Sequence, residues 1–260
     1  MIKDTVLITG ASSGIGRSFA KIFAKNGYNL FLIALEQELL ESLAEELKRT
    51  YQIDVLILSI DLSSNGAAQK IVDFMNEHNW EAEIIINNAG FGCKGDFYRM
   101  PIHKIHEMIA VNMTALVELT RLLLPEMIRR NYGKILNTAS TAAFQPGPGM
   151  AVYFATKAFI ASFSQALSSE LSHTNITVTT LCPGPTKTNF AKLAGLYNNP
   201  IHQGIVPILE ADDVAECGYK MMMRGKRLVI VGLMNKICSF ISFLMPSSLV
   251  MNSIKKLHSK

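Results

Sequence analysis

Tyr153 and Lys157 stand four residues apart in the stretch from Met150 to Phe159. The run continues to about Leu171 with few helix breakers and apolar residues at helical spacing. On a helix the phenol and the ammonium share one face, one turn apart. A free tyrosine has a pKa near ~10 and is a poor proton donor or acceptor at neutral pH. A lysine beside it favours the phenolate and brings its proton chemistry closer to working pH. Alone, the pair reads equally as a surface tyrosine and a solvated lysine, because Tyr-x-x-x-Lys is common by chance. Two other polar residues invite the same question. Asn112 is an amide among apolar neighbours in a helical pattern, either a satisfied core residue or one with a hydrogen-bonding task. Ser140 lies just past a strand-like run, where a lone serine is usually a turn residue.

The elements that must position these groups follow an alternating strand and helix pattern. Thr5 to Thr9 is a short β-branched run of the kind found in buried parallel strands. It ends at Gly10-Ala-Ser-Ser-Gly14-Ile-Gly16, and a helical stretch follows from Arg17 to Asn26. Strand, glycine triplet and helix together make a phosphate-binding turn. The glycines admit a pyrophosphate close to the backbone, and the helix start offers free N–H groups. Further strands are expected at Asn29–Ala34, Asp54–Ser59, Glu83–Asn87, Gly133–Asn137, Asn175–Leu181 and Arg227–Val231. The turn, Asn88, Ser140 and Thr186 all follow strand ends, and open α/β sheets bind ligands beyond the carboxyl ends of their strands. Asp61, after the third strand, either meets an adenine edge or begins a turn. The second strand ends in Ala34-Leu35-Glu36, where an acid would hold adenosine ribose hydroxyls. Glu36 takes that role if the strand runs slightly longer, or else opens the next helix. Residues 187–207 have weak periodicity and suit a mobile lid.

With 260 residues and 49% apolar content, the chain can bury one large α/β core. The net charge of +4 is spread without a basic run or interleaved aromatics, which argues against nucleic acid. Cys93, Cys182, Cys217 and Cys238 are far apart, so neither a metal site nor a disulfide framework is expected, and free thiols suit a reducing cytoplasm. The N-terminus lacks a signal-peptide pattern. The tail from Leu233 to Lys260 is strongly apolar, but neither half reaches the ~20 residues of a membrane span. It reads as packing on the parent domain, as a subunit contact, or as a membrane-surface helix with a basic end at Lys255, Lys256 and Lys260.

Taken in order, Thr9 to Gly16, Asn87 to Gly90, Asn112, Ser140, Tyr153 to Lys157 and Pro183-Gly184 resemble the short-chain dehydrogenase/reductase family, over nearly the whole chain to about Val231. The segment from Thr138 to Tyr153, with the apolar tail, looks most like the bacterial DltE-type subgroup. The resemblance implies a Rossmann-like, doubly wound, seven-stranded parallel sheet with helices on both faces, within a single domain spanning 1–260 whose residues 233–260 form a helical extension. It implies a cytoplasmic NAD(P)-dependent oxidoreductase, a homodimer or homotetramer, acting on a small carbonyl or alcohol substrate. Peripheral membrane contact through the tail is the minor reading of the partners, and a catalytically silent nucleotide-binding regulator is the alternative function. Tyr153 would be general acid/base, Lys157 would lower its pKa and hold the nicotinamide ribose, and Ser140 would polarise the carbonyl. Asn112 would hold a water that relays protons. Gly10, Ser12, Ser13, Gly14, Ile15 and Gly16 would border the cofactor phosphates, with Asp61 at adenine, Asn88 at ribose and Thr186 near the carboxamide or phosphates. The chain lacks both the arginine that many NADP-using relatives carry at Leu35 and the acid that NAD-using ones carry at Ala34. With nothing at Ala34 to repel a phosphate, the lean is to NADP. The substrate pocket is expected around 91–97, 144–150 and 190–205.

Overall fold

The computed structural model describes residues 4–196 and 207–258. Seven strands form one parallel sheet: β1 (Thr5–Thr9), β2 (Asn29–Ala34), β3 (Val55–Ser59), β4 (Ile84–Asn87), β5 (Gly133–Thr138), β6 (Ile176–Cys182) and β9 (Leu228–Ile230), in the order β3-β2-β1-β4-β5-β6-β9. A second sheet of two short strands, β7 (Thr186–Lys187) and β8 (Leu209–Glu210), sits beside it. The strand order reverses at β1, which pairs with β2 on one side and β4 on the other. A crevice opens at such a switch point, above the carboxyl ends of the two strands.

The central strands are buried on both faces, which is why they read as continuous apolar runs. Val6 and Ile8 of β1 face a layer holding Phe19 and Phe23 of α1 (Gly14–Lys25) and Leu40 and Leu43 of α2 (Gln37–Tyr51). Leu7 and Phe31 face the opposite layer, with Ile71 of α3 (Ala67–Glu77) and Leu119 and Leu123 of α5 (Ala115–Arg130). α1 starts at Gly14, three residues before the expected Arg17, so the last two glycines of the turn belong to the first turn of the helix. α4 (Ile102–Ile109) and α5 are joined by a π-helical turn over Ala110–Thr114 that carries Asn112. This stretch from Ile102 to Arg130 is long and apolar enough to cross a membrane by length and composition. Here its Leu119, Leu123 and Met127 are buried against the sheet. α6 (Ala151–Glu170) is the helix expected for Tyr153.

The region expected to be a lid contains β7 and the single turn α7 (Phe190–Leu193), while 197–206 lie outside the described residues. After α8 (Ala211–Met223) and β9, the tail folds as α9 (Leu233–Leu244) and α10 (Ser247–His258). Packing on the parent fold is the reading that applies to Asn235, Ser239, Val250 and Ile254, all buried.

A buried polar ladder ties the sheet to α5 and α6. Asn87 Nδ2 donates to Thr120 Oγ1 at 3.1 Å and to Asn137 Oδ1 at 2.9 Å; Asn137 Nδ2 donates to Ser164 Oγ at 2.9 Å. Asn87 thus has the structural task that its strand-end position allowed. Replacing Asn137 by alanine leaves a buried donor on Asn87 without its acceptor. Asn137→Ala should cost about 2–3 kcal/mol in chemical denaturation; a loss below ~0.5 kcal/mol would show that the ladder is not structural.

Candidate active site

Gly10 and Gly14 adopt left-handed backbone, at φ 64° and 52°. A Cβ on Gly16 would meet the Gly10 carbonyl oxygen at 2.1 Å, so only glycine fits where α1 leaves the turn. Thr9 and Asn88 fix the turn from the neighbouring strand. Asn88 N donates to Thr9 Oγ1 at 3.0 Å, and Asn88 Nδ2 donates to the carbonyls of Thr9 and Gly10 at 3.1 and 3.3 Å. The Asn88 amide nitrogen, expected at a ribose, is therefore committed to holding the turn. Ser13 precedes α1 and makes no side-chain capping bond. The first N–H groups of α1 and the Ser13 hydroxyl form a cradle of the size and polarity a pyrophosphate needs.

Beside the cradle lies a contact with no counterpart in the sequence pattern. Ser12 Oγ donates to Glu36 Oε2 at 2.8 Å. Glu36 does precede α2, but its side chain makes no capping bond there. Arg17 is turned away and pairs with Glu46 at 3.0 Å. Asp61 accepts from the backbone N and the hydroxyl of Ser63, each at 2.8 Å, so it closes its own turn while lining the cleft. Thr186 Oγ1 donates to the Gly184 carbonyl at 2.9 Å. Thr188 is the neighbour that reaches the cradle: a Cβ on Gly14 would lie 2.8 Å from its methyl group.

At the other end of the cleft the expected cluster assembles. Ser140 follows β5 and opens a 3-10 turn over Thr141–Phe144, accepting from Ala142 N at 3.1 Å. The Ser140 side chain lies beside the Tyr153 phenol, while Ser140 Oγ donates to the Pro183 carbonyl at 3.4 Å. Lys157, 4% exposed, donates from Nζ to the Thr138 carbonyl at 2.8 Å, and Nζ lies 5.8 Å from the Tyr153 ring centroid. Asn112 Nδ2 donates to the Phe91 carbonyl at 2.9 Å and to Thr156 Oγ1 at 3.0 Å, and its Oδ1 accepts from Phe91 N at 3.0 Å. Both amide protons are thus held by protein groups. Thr156 Oγ1 in turn donates to the Tyr153 carbonyl at 2.7 Å, so Asn112 fixes the turn of α6 that carries the tyrosine. The polar residue in an apolar run was a sound signal, and the π-helical turn around it is what aims it at α6.

The expected depression of the Tyr153 pKa by Lys157 is not what this arrangement produces. Burial pushes the phenol up to about 12, against a lowering by the Ser140 side chain. Burial also pushes Lys157 down to about 8. The phenol is therefore protonated at neutral pH, the form that can donate. Cys182, at the end of β6, lies under the cluster, and burial raises its thiol to about 12, so it stays neutral.

Cradle and cluster line one cavity of about 1370 Å³. That exceeds the ~300–1,000 Å³ of an ordinary single-ligand pocket and leaves room for a dinucleotide with a second molecule. Phe91, Met150 and Phe190 line it as expected; Phe97 points outward at 61% exposure. Among the described residues, no group of His, Cys, Asp or Glu could hold a metal ion.

The sequence model for short chain dehydrogenases matches residues 4–196. The chain belongs to the short-chain dehydrogenase family. It is an NAD(P)-dependent oxidoreductase acting on CH–OH groups or the corresponding carbonyls. Sulfoacetaldehyde reductase 2 of Chromohalobacter salexigens is 34% identical over 221 residues, 83% of this chain and 86% of that protein. The very-long-chain 3-oxoacyl-CoA reductase of Bos taurus is 30% identical over 194 residues, 73% of this chain and 62% of the relative's length. A short-chain dehydrogenase from Sphingobium yanoikuyae, solved in complex with NADPH, superposes with a TM-score of 0.82 at 31% identity, covering 92% of both chains.

The lowered Lys157 pKa sets a pH dependence. In this short-chain dehydrogenase the folded state releases the Lys157 proton near 8, whereas the ordinary value is 10.5. Between these values the unfolded chain binds more protons, so this group's contribution to stability rises with pH. Wild-type Tm should therefore climb relative to Lys157→Met from about pH 8 to about pH 10; a Tm difference that stays flat over that window would contradict the burial of a charged amine.

Proposed function

We propose that the protein transfers a hydride between nicotinamide and a carbonyl or secondary alcohol, with Tyr153 as the proton donor in reduction and Ser140 as the group that polarises the carbonyl oxygen. The observation that carries this reading is the gathering of Ser140, Tyr153 and buried Lys157 in the same cavity that holds the glycine cradle, with the Ser140 side chain beside the phenol. When bound, the dinucleotide supplies or accepts the hydride. The Tyr153 O–H passes its proton to the substrate oxygen as charge develops there, and the Ser140 hydroxyl stabilises that oxygen, a contact of the kind that contributes several kcal/mol of barrier lowering. Lys157 then returns a proton to the phenolate, which its lowered pKa suits it to do. A Cβ on Gly90 would lie 3.1 Å from Asn112 Oδ1 and 3.4 Å from Lys157 Nζ. That narrow space, with the unused lone pair of Asn112 on it, suits a water that relays the proton outward.

In this reading Gly10, Ser12, Ser13, Gly14, Ile15 and Gly16 hold the pyrophosphate, Asp61 faces adenine, Asn88 borders the ribose through its remaining oxygen, and Thr186 lies toward the carboxamide. Residues 1–260 act as one domain, nearest the DltE-type subgroup in the segment from Thr138 to Tyr153. The relatives named for sulfoacetaldehyde and for long-chain oxoacyl-CoA differ so widely in substrate that neither substrate carries over.

Glu36 tips the cofactor choice toward the unphosphorylated dinucleotide. Nothing at Ala34 repels a ribose 2′-phosphate, but the Glu36 carboxylate on Ser12 puts a negative charge on the same wall, and neither Leu35 nor Arg17 offsets it. Replacing Glu36 with serine should improve NADPH affinity relative to NADH by about tenfold in fluorescence titration, a change of ~1.4 kcal/mol. An unchanged ratio would remove Glu36 from cofactor selection. Tyr153→Phe should keep dinucleotide affinity within about twofold and lower turnover by at least ~10³-fold, the upper part of the general acid–base range. Near-normal turnover in that variant would show that the proton comes from elsewhere.

A further inference from the structure

α9 is an amphipathic helix mounted the wrong way round. A helix against a protein core ordinarily buries its apolar stripe and exposes its polar one. Here Leu233, Ile237, Phe240 and Leu244 point outward, with Leu233 73% exposed and Phe240 65% exposed. Asn235, Ser239 and Ser242, spaced i, i+4 and i+7 on one face, point inward and line the cavity. Two of the three have protein partners. Asn235 Nδ2 donates to the Val231 carbonyl at 2.7 Å, and its amide lies against Gly184. Ser242 Oγ donates to Gln145 Oε1 at 2.7 Å, which ties α9 to the loop carrying Ser140. Ser239 lies between them, 7% exposed and on the cavity wall, and its hydroxyl makes no hydrogen bond to any described residue. A nearly buried hydroxyl facing an open cavity is stable there if something in the cavity bonds it.

The charges on the cavity wall are as uneven as its shape. They are Glu36 and Asp61 beside the cradle, the mutually neutralising Lys104–Glu107 pair of α4 at 2.6 Å, and Lys157. On the side built by α9 and α10, the described residues that line the cavity, among them Gln145, Met150, Phe154, Phe190, Leu193 and Leu196, are uncharged; Lys192 and Lys236 belong to the same segments but are exposed and off the lining. An anionic or zwitterionic substrate body on this side would be desolvated with no countercharge from the described lining residues.

We infer that the substrate is an extended, uncharged carbonyl compound with an apolar body and a second, neutral hydrogen-bonding group remote from the carbonyl, and that Ser239 receives that second group. The inference rests on the proposed reaction only for where the carbonyl lies; Ser239 acts in specificity and has no part in the chemistry.

The test uses the full-length protein with NADH or NADPH and a homologous series of 2-alkanones, each with a terminal methyl, hydroxyl or carboxylate. For one chain length in the series, the terminal alcohol should be preferred over the methyl compound in kcat/KM by about three- to tenfold, the effect of one neutral hydrogen bond. The preference should lie mainly in KM. The carboxylate should be poorer than the alcohol by at least ~100-fold. Ser239→Ala should bring the alcohol-to-methyl ratio close to one, and Ser239→Thr should restore it. Calorimetric binding of the alcohol and the methyl compound to dinucleotide-loaded Tyr153→Phe supplies a second readout. Ser239-dependent preference in binding without turnover by the wild type would sink the proposed reaction and leave the subsite standing. A carboxylate used as well as the alcohol, or a ratio indifferent to Ser239→Ala in both turnover and binding, would overturn the inference.

Discussion

One hydrogen bond, from the Lys157 ammonium to the main-chain carbonyl of Thr138, holds the chemistry against the sheet. Burial makes a charged amine costly, and its 2.8 Å contact with a strand-end carbonyl fixes where that amine can be. Through it α6 is registered on β5, and Tyr153, one turn earlier, is brought to Ser140. The same strand end starts the turn that presents Ser140. A shift of α6 by one residue would part the phenol from the serine and strand the amine in apolar surroundings. The fold therefore specifies the geometry of the cluster through its least forgiving buried charge.

Around that contact, polar side chains do the joining and apolar ones do the filling. The Asn87–Asn137–Ser164 ladder locks β4, β5 and α6 together, and Asn88 and Thr9 pin the glycine turn to β4. Asn112, held in a π-helical turn, braces the loop after β4 against Thr156 of α6. All of these lie at the carboxyl edge of the sheet, where parallel strands end in carbonyls and side chains that the ladder itself no longer consumes. Elsewhere the strands are mostly aliphatic, apart from the threonines of β6, Thr177, Thr179 and Thr180.

The strands were legible because burial on both faces demands continuous β-branched runs, and the glycine turn because Gly16 has no room for a Cβ. Tyr153, Lys157 and Ser140 were legible as residue types, and the order of the motifs gave their roles as expectations. What escaped the sequence was direction. Nothing in Ala34-Leu35-Glu36 says that the Glu36 side chain turns back to Ser12 instead of capping α2. Nothing in the composition of the tail says that Asn235, Ser239 and Ser242 of α9 face inward, because apolar counting finds a stripe but cannot tell which side the parent domain takes. The pKa of Tyr153 escaped for a related reason: spacing placed a cation nearby, but burial, which no spacing reports, is the larger influence. Asp61 follows β3 and Thr186 opens β7 after β6, and both side chains are engaged in hydrogen bonds to their own loops.

The central claim is that the Ser140–Tyr153–Lys157 cluster and the glycine cradle serve one reaction in one cavity. Its most direct test is the fate of the label when the protein reduces a carbonyl with dinucleotide deuterated on both faces of the nicotinamide C4. Mass and NMR analysis of the alcohol should find one deuterium on the carbinol carbon, with only the exchangeable hydroxyl proton coming from solvent. A carbinol carbon bearing solvent hydrogen, or a product formed with the dinucleotide label untouched, would contradict the account.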